Sequence, residues 1–163
     1  MKTCFLTLSA VLALALAGCG PKSADSSAGT APAAAAGPRE IDLTANDMMK
    51  YSQTALTAAP GEKLHVVLTN VGSQPKEVMG HDWVLLKAGS DAAAFSTAAI
   101  MHKAENYIAP ELSSEVVAKI DLLGPRQTGE VTFTVPTAPG DYTFLCTFPA
   151  HYQAGMHGTL TVK

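Results

Sequence analysis

The sequence of 163 residues has little charge, few aromatic residues and few cysteines. Charged side chains make up 15% of it, and 11 basic against 14 acidic residues give a formal net charge of −3. This balance excludes the basic surface with which a protein neutralises the phosphates of a nucleic acid. Three cysteines are too few for a disulfide scaffold, and the sequence lacks the Cys-x-x-Cys pair of a zinc ribbon or a redox dithiol. The main question is therefore what three widely separated cysteines do.

The N-terminal apolar run is too short to cross a bilayer. It covers residues 5–17, whereas a spanning helix needs ~20 apolar residues. Lys2 precedes the run and small residues follow it. This order predicts a secretory signal peptide rather than a membrane helix.

Cys19 ends a processing motif. Residues 16–19 read Leu-Ala-Gly-Cys and resemble the bacterial lipobox. The resemblance implies cleavage before Cys19, loss of Cys4 with residues 1–18, and acylation of Cys19, and several acyl chains anchor a protein firmly. Gly20, in place of an aspartate that would retain the protein at the inner membrane, favours the outer membrane. The alternative is an ordinary signal peptide that happens to be cleaved near a cysteine.

Residues 20–39 are rich in alanine, proline, serine and glycine, without strand or helix periodicity. Pro21, Pro32 and Pro38 interrupt any helix that the alanines could form. Such a segment cannot bury enough apolar surface to offset its ordering entropy. We therefore predict that residues 19–39 are the lipidated cysteine and a flexible tether, spanning roughly 25 Å as a random coil.

Residues 40–163 have the patterning of one all-β domain. The clearest alternation is at 131–135, where valine and phenylalanine alternate with threonine. Residues 91–103 favour one helical insertion, capped by Ser90 or Asp91. Eight short strands with one helix predict a Greek-key β-sandwich. The predicted strands are residues 41–45, 55–58, 63–70, 83–87, 115–120, 130–135, 142–146 and 159–162.

One loop near the C-terminus spaces three metal-binding side chains closely. Four residues separate Cys146 from His151 and four separate His151 from Met156, between two predicted strands. A further histidine, His81, precedes the predicted strand 83–87. Two imidazoles and a thiolate, with a thioether farther away, are the ligands of a blue-copper electron-transfer site. Soft sulfur suits Cu(I), while imidazole serves both oxidation states.

The segments around these residues resemble the cupredoxins, in particular the azurins and auracyanins. Met-Gly-His-Asp-Trp at 79–83 and Cys-Thr-Phe-Pro-Ala-His-Tyr-Gln-Ala-Gly-Met at 146–156 carry the resemblance, which covers residues 40–163. It implies a cupredoxin fold that holds one copper ion and cycles between Cu(II) and Cu(I). The implied ligands are His81, Cys146 and His151 in the equatorial plane, Met156 on the axis, and the carbonyl of Gly80 as a second axial contact.

The resemblance also implies roles for residues around the ligands. The backbone amides of Asp82 and Phe148 match those that donate to the thiolate in the family. Because Asp82 replaces the family's asparagine, its side chain either braces the cysteine loop differently or leaves it looser. Electrons would pass through an apolar patch around His151, suited to brief contacts with redox proteins. The patch comprises Met49, Val78, Met79, Phe148, Pro149, Ala150 and Ala154.

Together these features predict a periplasmic, lipid-anchored, monomeric one-electron carrier that is not an enzyme. A copper-delivery lipoprotein, which would bind copper without redox cycling, is the alternative. Nucleophilic catalysis by Cys146 and His151 is a third hypothesis, which lacks an orienting third group. Simple core packing is the competing interpretation for Met156. His65, His102 and His157 are assigned no role.

Overall fold

The computed structural model describes residues 37–163. The predictions of a signal peptide at 1–18, a lipid on Cys19 and most of the tether lie outside the described residues. No helix in the described range is long and apolar enough to span a membrane. The elements are β1 Arg39–Asn46, β2 Lys50–Tyr51, β3 Ala55–Ala58, β4 Lys63–Asn70, α1 Lys76–Met79, β5 His81–Leu86, α2 Ala92–Ala99, 3-10 helices at Lys103–Glu105 and Pro110–Glu115, β6 Val116–Leu123, β7 Thr128–Thr134, β8 Gly140–Leu145 and β9 His157–Val162.

The strands form two sheets. The first has the order β2-β1-β4-β7 and the second the order β3-β9-β8-β5-β6. Each sheet contains one parallel pair, β1 with β4 and β3 with β9, and the other pairs are antiparallel. All eight predicted strands are present, and the predicted β-sandwich is confirmed.

The alternation that predicted the strands places one face of each sheet in a shared core. In β4 the side chains of Leu64, Val66 and Leu68 are fully buried, and those between them are partly exposed. Trp83 and Phe144 from the second sheet pack together in the same core, with their ring centroids 5.7 Å apart. Burial of such large apolar surfaces is the main force that holds the two sheets together.

β5 is buried along its whole length because both faces of the second sheet are covered. Val84, Leu86 and Leu145 form a second apolar cluster with Phe95 of α2 and Ile108, which follows it. The insertion between β5 and β6 therefore covers the outer face of this sheet, which is why β5 lacks the alternation of β4.

The predicted helix over 91–103 is wrong at its C-terminal end. α2 begins as predicted after Asp91, whose carboxylate accepts the N–H groups of the first turn at 3.0 Å. It ends at Ala99, the last residue of its buried face. The next positions on that face are His102 and Lys103, whose polar side chains give the helix no apolar surface to bury.

Three strand boundaries differ from the predicted ones in a way that matters for the site. β5 begins at His81, two residues early, and β8 ends directly before Cys146. β9 begins directly after Met156. The two-residue strand β2 was not predicted, because two residues are too few to show an alternation.

Candidate metal centre

Three strand ends bring the candidate ligands to one end of the second sheet. Because β5 and β9 both pair with β8 in antiparallel fashion, the beginnings of β5 and β9 lie beside the end of β8. His81 is the first residue of β5, Cys146 follows β8, and Met156 precedes β9. His151 lies on the loop between Cys146 and Met156. Pairing within the sheet therefore determines where the ligands meet.

The structure brings the four predicted ligands together in the protein interior. The ligand atoms of His81, Cys146 and His151 lie within 4.8 Å of one another, and all three residues are buried. The Sγ of Cys146 lies 3.3 Å from the Nδ1 of His151, and the two imidazole centroids are 4.9 Å apart. Met156 is fully buried, and its carbonyl accepts the N–H of Cys146 at 3.1 Å.

The donor set fits a soft metal ion. Neither ring nitrogen of His81 has a hydrogen-bond partner within residues 37–163, although both are buried. A buried polar atom without a partner costs about 1–3 kcal/mol, and a bond to a metal would remove that cost. Two imidazoles with a thiolate and a thioether suit copper better than they suit a hard cation such as Mg²⁺.

Burial keeps both imidazoles neutral. The pKa of His151 is lowered to about 4, chiefly by burial and in part by the nearby His81. Burial also lowers the pKa of His81, although the negative charge of Asp47 opposes this shift. At neutral pH both rings therefore have a free lone pair available for a metal.

The thiol of Cys146 is shifted in the opposite direction. Burial, followed by the negative charge of Asp82, raises its pKa well above the ordinary value. The backbone N–H groups of Asp82 and Phe148 oppose this by favouring the thiolate, and these are the two residues for which the resemblance implies that role. Without a metal the thiol therefore keeps its proton at neutral pH, and a metal must displace that proton on binding.

The carboxylate of Asp82 braces the cysteine loop. One of its oxygens accepts the backbone N–H of Thr147 at 2.7 Å, and the other accepts the hydroxyl of Thr147. Burial raises the pKa of Asp82 to about 6, and the hydrogen bonds from Thr147 limit that rise. Thr147 is a supporting residue that sequence reasoning missed, because nothing local distinguishes it from the other threonines.

Hydrogen bonds within the ligand loop fix its shape. The carbonyl of Phe148 accepts the N–H of His151 at 3.1 Å, and the carbonyl of His151 accepts the N–H of Met156 at 2.9 Å. The Phe148 ring lies between His151 and Tyr107, with centroid distances of 4.7 and 5.2 Å. Tyr107 comes from the insertion after α2 and was also missed. The insertion thus supports the loop from the side.

Gly80 sits where no side chain fits. A Cβ at this position would lie 2.7 Å from the carbonyl oxygen of Lys76 and 2.9 Å from the Leu122 side chain. This explains the glycine before His81. An axial contact from the Gly80 carbonyl stays a prediction.

The predicted apolar patch is unevenly exposed. Val78 on α1 is 58% exposed, whereas His151 at the centre is only 2% exposed. Phe148 is buried, so it supports the patch from below. Met48, which is 72% exposed beside Met49, was not assigned to the patch. The other predicted members are exposed at Ala150 and Ala154 and half-buried at Met49, Met79 and Pro149.

The contact between Cys146 and His151 does not create a reactive nucleophile. Nucleophilic cysteines are partly exposed and have a lowered pKa, whereas Cys146 is fully buried and its thiol pKa is raised. The other described histidines lie elsewhere. His65 stands between two glutamates at 3.3 and 3.4 Å, His102 lies 3.6 Å from a glutamate, and His157 packs on Tyr152.

Two imidazoles, a thiolate and a thioether buried at one end of a β-sandwich define the class of type 1 copper proteins. The family model "Copper binding proteins, plastocyanin/azurin family" matches residues 39–163, and the chain belongs to this family. His81, Cys146, His151 and Met156 form the single type 1 copper site of the described domain.

Similar proteins include auracyanins and azurins. Auracyanin-B of Chloroflexus aurantiacus is 38% identical over 119 residues, which cover 72% of this chain and 49% of that protein, so the chain spans about half of this relative. An azurin of Pseudomonas aeruginosa is 36% identical over 126 residues, covering 76% of this chain and 84% of the azurin.

Solved auracyanin structures share the fold. The dithionite-reduced auracyanin of Roseiflexus castenholzii has a TM-score of 0.68 and 32% identity, covering 76% of this chain and 96% of that one. Auracyanin A of Chloroflexus aurantiacus has a TM-score of 0.69 and 32% identity, covering 78% of this chain and 100% of the auracyanin chain. The predicted cupredoxin fold and copper site are confirmed, and the protein is of the electron-carrier class rather than an enzyme.

Proposed function

We propose that this protein is a membrane-tethered one-electron carrier on the periplasmic side, working through its type 1 copper site. The observation that carries the proposal is the buried group of His81, Cys146 and His151, with ligand atoms within 4.8 Å of one another. Bound copper would supply reversible one-electron chemistry between Cu(II) and Cu(I).

The protein's own residues hold this site in one shape. His81 is paired with β6 as the first residue of β5, Cys146 directly follows the paired strand β8, and Asp82 ties the loop through Thr147. Close-packed interiors resist rearrangement, so the ligands have little freedom to move when the charge of the site changes. A rigid site of this kind favours rapid electron exchange over release of the metal.

The patch around His151 is the proposed meeting surface for a donor and an acceptor protein. Azurin-like proteins exchange electrons with redox partners. Val78, Ala150 and Ala154 offer an exposed apolar area at the copper end of the molecule. Small interfaces of this kind bind weakly and release quickly, as an electron shuttle requires. We propose that the protein acts as a monomer in these encounters.

The proposed location rests on the sequence of residues 1–39. The homologues are periplasmic or extracytoplasmic proteins, and the signal-like residues 1–18 with Cys19 favour a lipid anchor, with the outer membrane preferred. Residues 20–39 would leave the domain free to move roughly 25 Å from the anchor.

The copper proposal is tested by adding Cu(II) to the purified protein. We expect an intense blue thiolate-to-copper absorption, which the Cys146→Ser variant should lose entirely. His65→Gln serves as a matched control, since His65 lies on the outer face of the first sheet. A wild-type protein that stays colourless or only pale blue would refute the proposal.

Redox cycling separates an electron carrier from a copper-delivery protein. We expect the protein to pass repeatedly between blue Cu(II) and colourless Cu(I) in voltammetry without losing metal to a chelator. Loss of copper to the chelator on each reduction would favour the delivery function instead.

The anchor is tested in a bacterial host with the full-length protein. Wild-type protein should incorporate a labelled fatty acid and sediment with membranes, whereas Cys19→Ser should do neither. Cys4→Ser is the matched control and should behave as wild type. Membrane association that survives Cys19→Ser would exclude a lipid on this residue.

A further inference from the structure

The two-residue strand β2 contacts both halves of the copper site. Its residues, Lys50 and Tyr51, belong to the first sheet, where they pair with Asn46 and Ala45 of β1. Their side chains, however, hydrogen-bond to segments of the second sheet that carry copper ligands. Neither residue is a ligand, and the function described so far assigns no role to either.

Tyr51 holds the segment of the first histidine ligand. Its hydroxyl donates to the carbonyl of Asp82 at 2.5 Å, and its ring is buried against Phe144 at a centroid distance of 5.7 Å. Asp82 directly follows His81, and its backbone N–H faces the Cys146 thiol. The tyrosine hydroxyl therefore fixes the backbone of the residue that directly follows the ligand His81.

Lys50 holds the loop of the other ligands. Its ammonium group donates to the carbonyl of Ala154 at 2.7 Å, across 104 residues of sequence. Ala154 lies between His151 and Met156, two residues before the thioether ligand. Gly155 adopts φ +87°, and a Cβ there would lie 3.0 Å from the lysine nitrogen. The glycine thus leaves room for the lysine to approach.

The backbone around β2 is itself well fixed. The chain turns after Asn46, whose carbonyl accepts the N–H of Met49 at 2.9 Å, and Met49 adopts φ +56°. Beyond the strand, the N–H of Ser52 donates to the carbonyl of Thr44 at 2.9 Å. The backbone of β2 is therefore held in place while Tyr51 contacts the segment that carries His81 and Lys50 contacts the loop that carries His151 and Met156.

We propose that Lys50 and Tyr51 are positioning residues of the copper site. They fix the separation between the His81 strand and the loop that carries His151 and Met156, and so maintain the coordination geometry of the metal. Hydrogen-bonded groups behind metal ligands commonly control ligand orientation. This inference rests on the proposed copper function and adds to it the elements that tie the two ligand segments together.

The experiment compares copper-loaded wild type with Tyr51→Phe, Lys50→Met and Lys50→Arg. Tyr51→Phe removes only the hydroxyl, and Lys50→Met removes the donor while keeping an unbranched side chain. We expect both to alter the intensity ratio of the thiolate-to-copper absorption bands and the copper hyperfine splitting, and to weaken copper binding about tenfold. Lys50→Arg, which retains donors and charge, should keep the wild-type bands.

Matched controls are available for both side chains. Tyr142→Phe removes a buried hydroxyl that donates to the carbonyl of Ala138, away from the ligands. Lys63→Met removes an exposed lysine at the start of β4, whereas Asn70 is the last residue of that strand. Both controls should keep the wild-type bands and copper affinity. If they change as much as the test variants, the positioning role is refuted.

Two further results would overturn the inference. One is wild-type band ratios and affinity in both Tyr51→Phe and Lys50→Met. The other is a Lys50→Met variant that shifts only the reduction potential, because that would be an effect of charge without positioning. Lys50 is exposed, so its variants test the inference even where Tyr51→Phe fails to fold. Absence of a blue site in the wild type would instead refute the proposed copper function.

Discussion

Individual ligand residues differ in the protons that copper must displace. At pH 7 the imidazoles of His81 and His151 are neutral, because burial lowers both pKa values, and the Cys146 thiol is protonated, because burial raises its pKa. We expect Cu(II) binding near pH 7 to release about one proton, so that the apparent affinity rises about tenfold per pH unit. Calorimetry in buffers of different ionisation enthalpy measures this number directly.

The proton count should change at low pH. As the pH falls through about 4, His151 takes up a proton in the metal-free protein, so binding must displace an additional one. The dependence of affinity on pH should therefore steepen there. Release of no proton at pH 7, or of two, would contradict the assigned protonation states.

The protonation of Asp82, which is not a ligand, affects the stability of the folded protein. Its folded-state pKa is raised to about 6 by burial, whereas an unfolded aspartate has a pKa of about 3.9. As the pH rises from about 4 to 6, the unfolded state releases this proton while the folded state still holds it, so the free energy of unfolding falls. Above pH 6 both states have lost the proton, and the free energy of unfolding falls no further. The buried charge therefore destabilises the metal-free protein at neutral pH.

We expect Asp82→Asn to stabilise the metal-free protein at pH 7 by up to about 3 kcal/mol, with little effect near pH 4. An asparagine carries no charge, and its amide oxygen can still accept the Thr147 N–H. Urea unfolding at the two pH values measures the difference. Asp42→Asn, at an exposed position on β1, should show no such pH-dependent gain. Equal effects of Asp82→Asn at both pH values would contradict this explanation.

Among the elements, α2 depends on a single cap. The carboxylate of Asp91 accepts the N–H groups of Ala93 and Ala94, and the helix has only eight residues. Replacing such a cap with alanine typically costs about 1 kcal/mol. We expect Asp91→Ala to lower the free energy of unfolding by this amount and to leave the copper absorption unchanged, since α2 covers the outer face of the sheet. Asp91→Ser should retain most of the stability, and an equal loss in both variants would exclude capping as the cause.

The elements also show which parts of the fold and of the copper site could be predicted from the sequence. Long alternating strands such as β4 and β7 were predictable because each buries one face, and the ligands were predictable because Cys146, His151 and Met156 are close in sequence. The end of α2 was not predictable, because it depends on which side chains are buried against the rest of the fold. The supports from Thr147, Tyr51 and Lys50 cross 65, 31 and 104 residues of sequence, and no local pattern encodes such contacts.

In the whole molecule, the first residue of β1 and the copper site lie at opposite ends of that strand. β1 begins at Arg39, where the predicted tether ends, and runs eight residues to Asn46 beside the copper end. At ~3.3 Å per residue this separates the two points by roughly 23 Å. A domain held through Arg39 would therefore present the apolar patch away from its attachment point, where a partner can reach it.

This arrangement predicts that the patch controls electron exchange without controlling the copper site. Val78 is 58% exposed on α1 and is not a ligand. Exchange between two copies of the protein would bring the same patch from each together, so Val78→Glu would oppose two like charges across an apolar contact. We expect the self-exchange rate to fall about tenfold, corresponding to ~1.4 kcal/mol, and to recover partly at high salt because salt screens exposed charges.

The self-exchange rate is measured by line broadening in mixtures of Cu(I) and Cu(II) protein, with the absorption spectrum recorded in parallel. Val78→Ala separates the loss of the valine from the gain of charge and should retain most of the rate. Met101→Glu places the same charge on a side chain that is 84% exposed beyond α2, outside the predicted patch. If Met101→Glu slows exchange as much as Val78→Glu, net charge rather than the patch governs the encounter. If neither variant changes the rate, electrons leave through another surface.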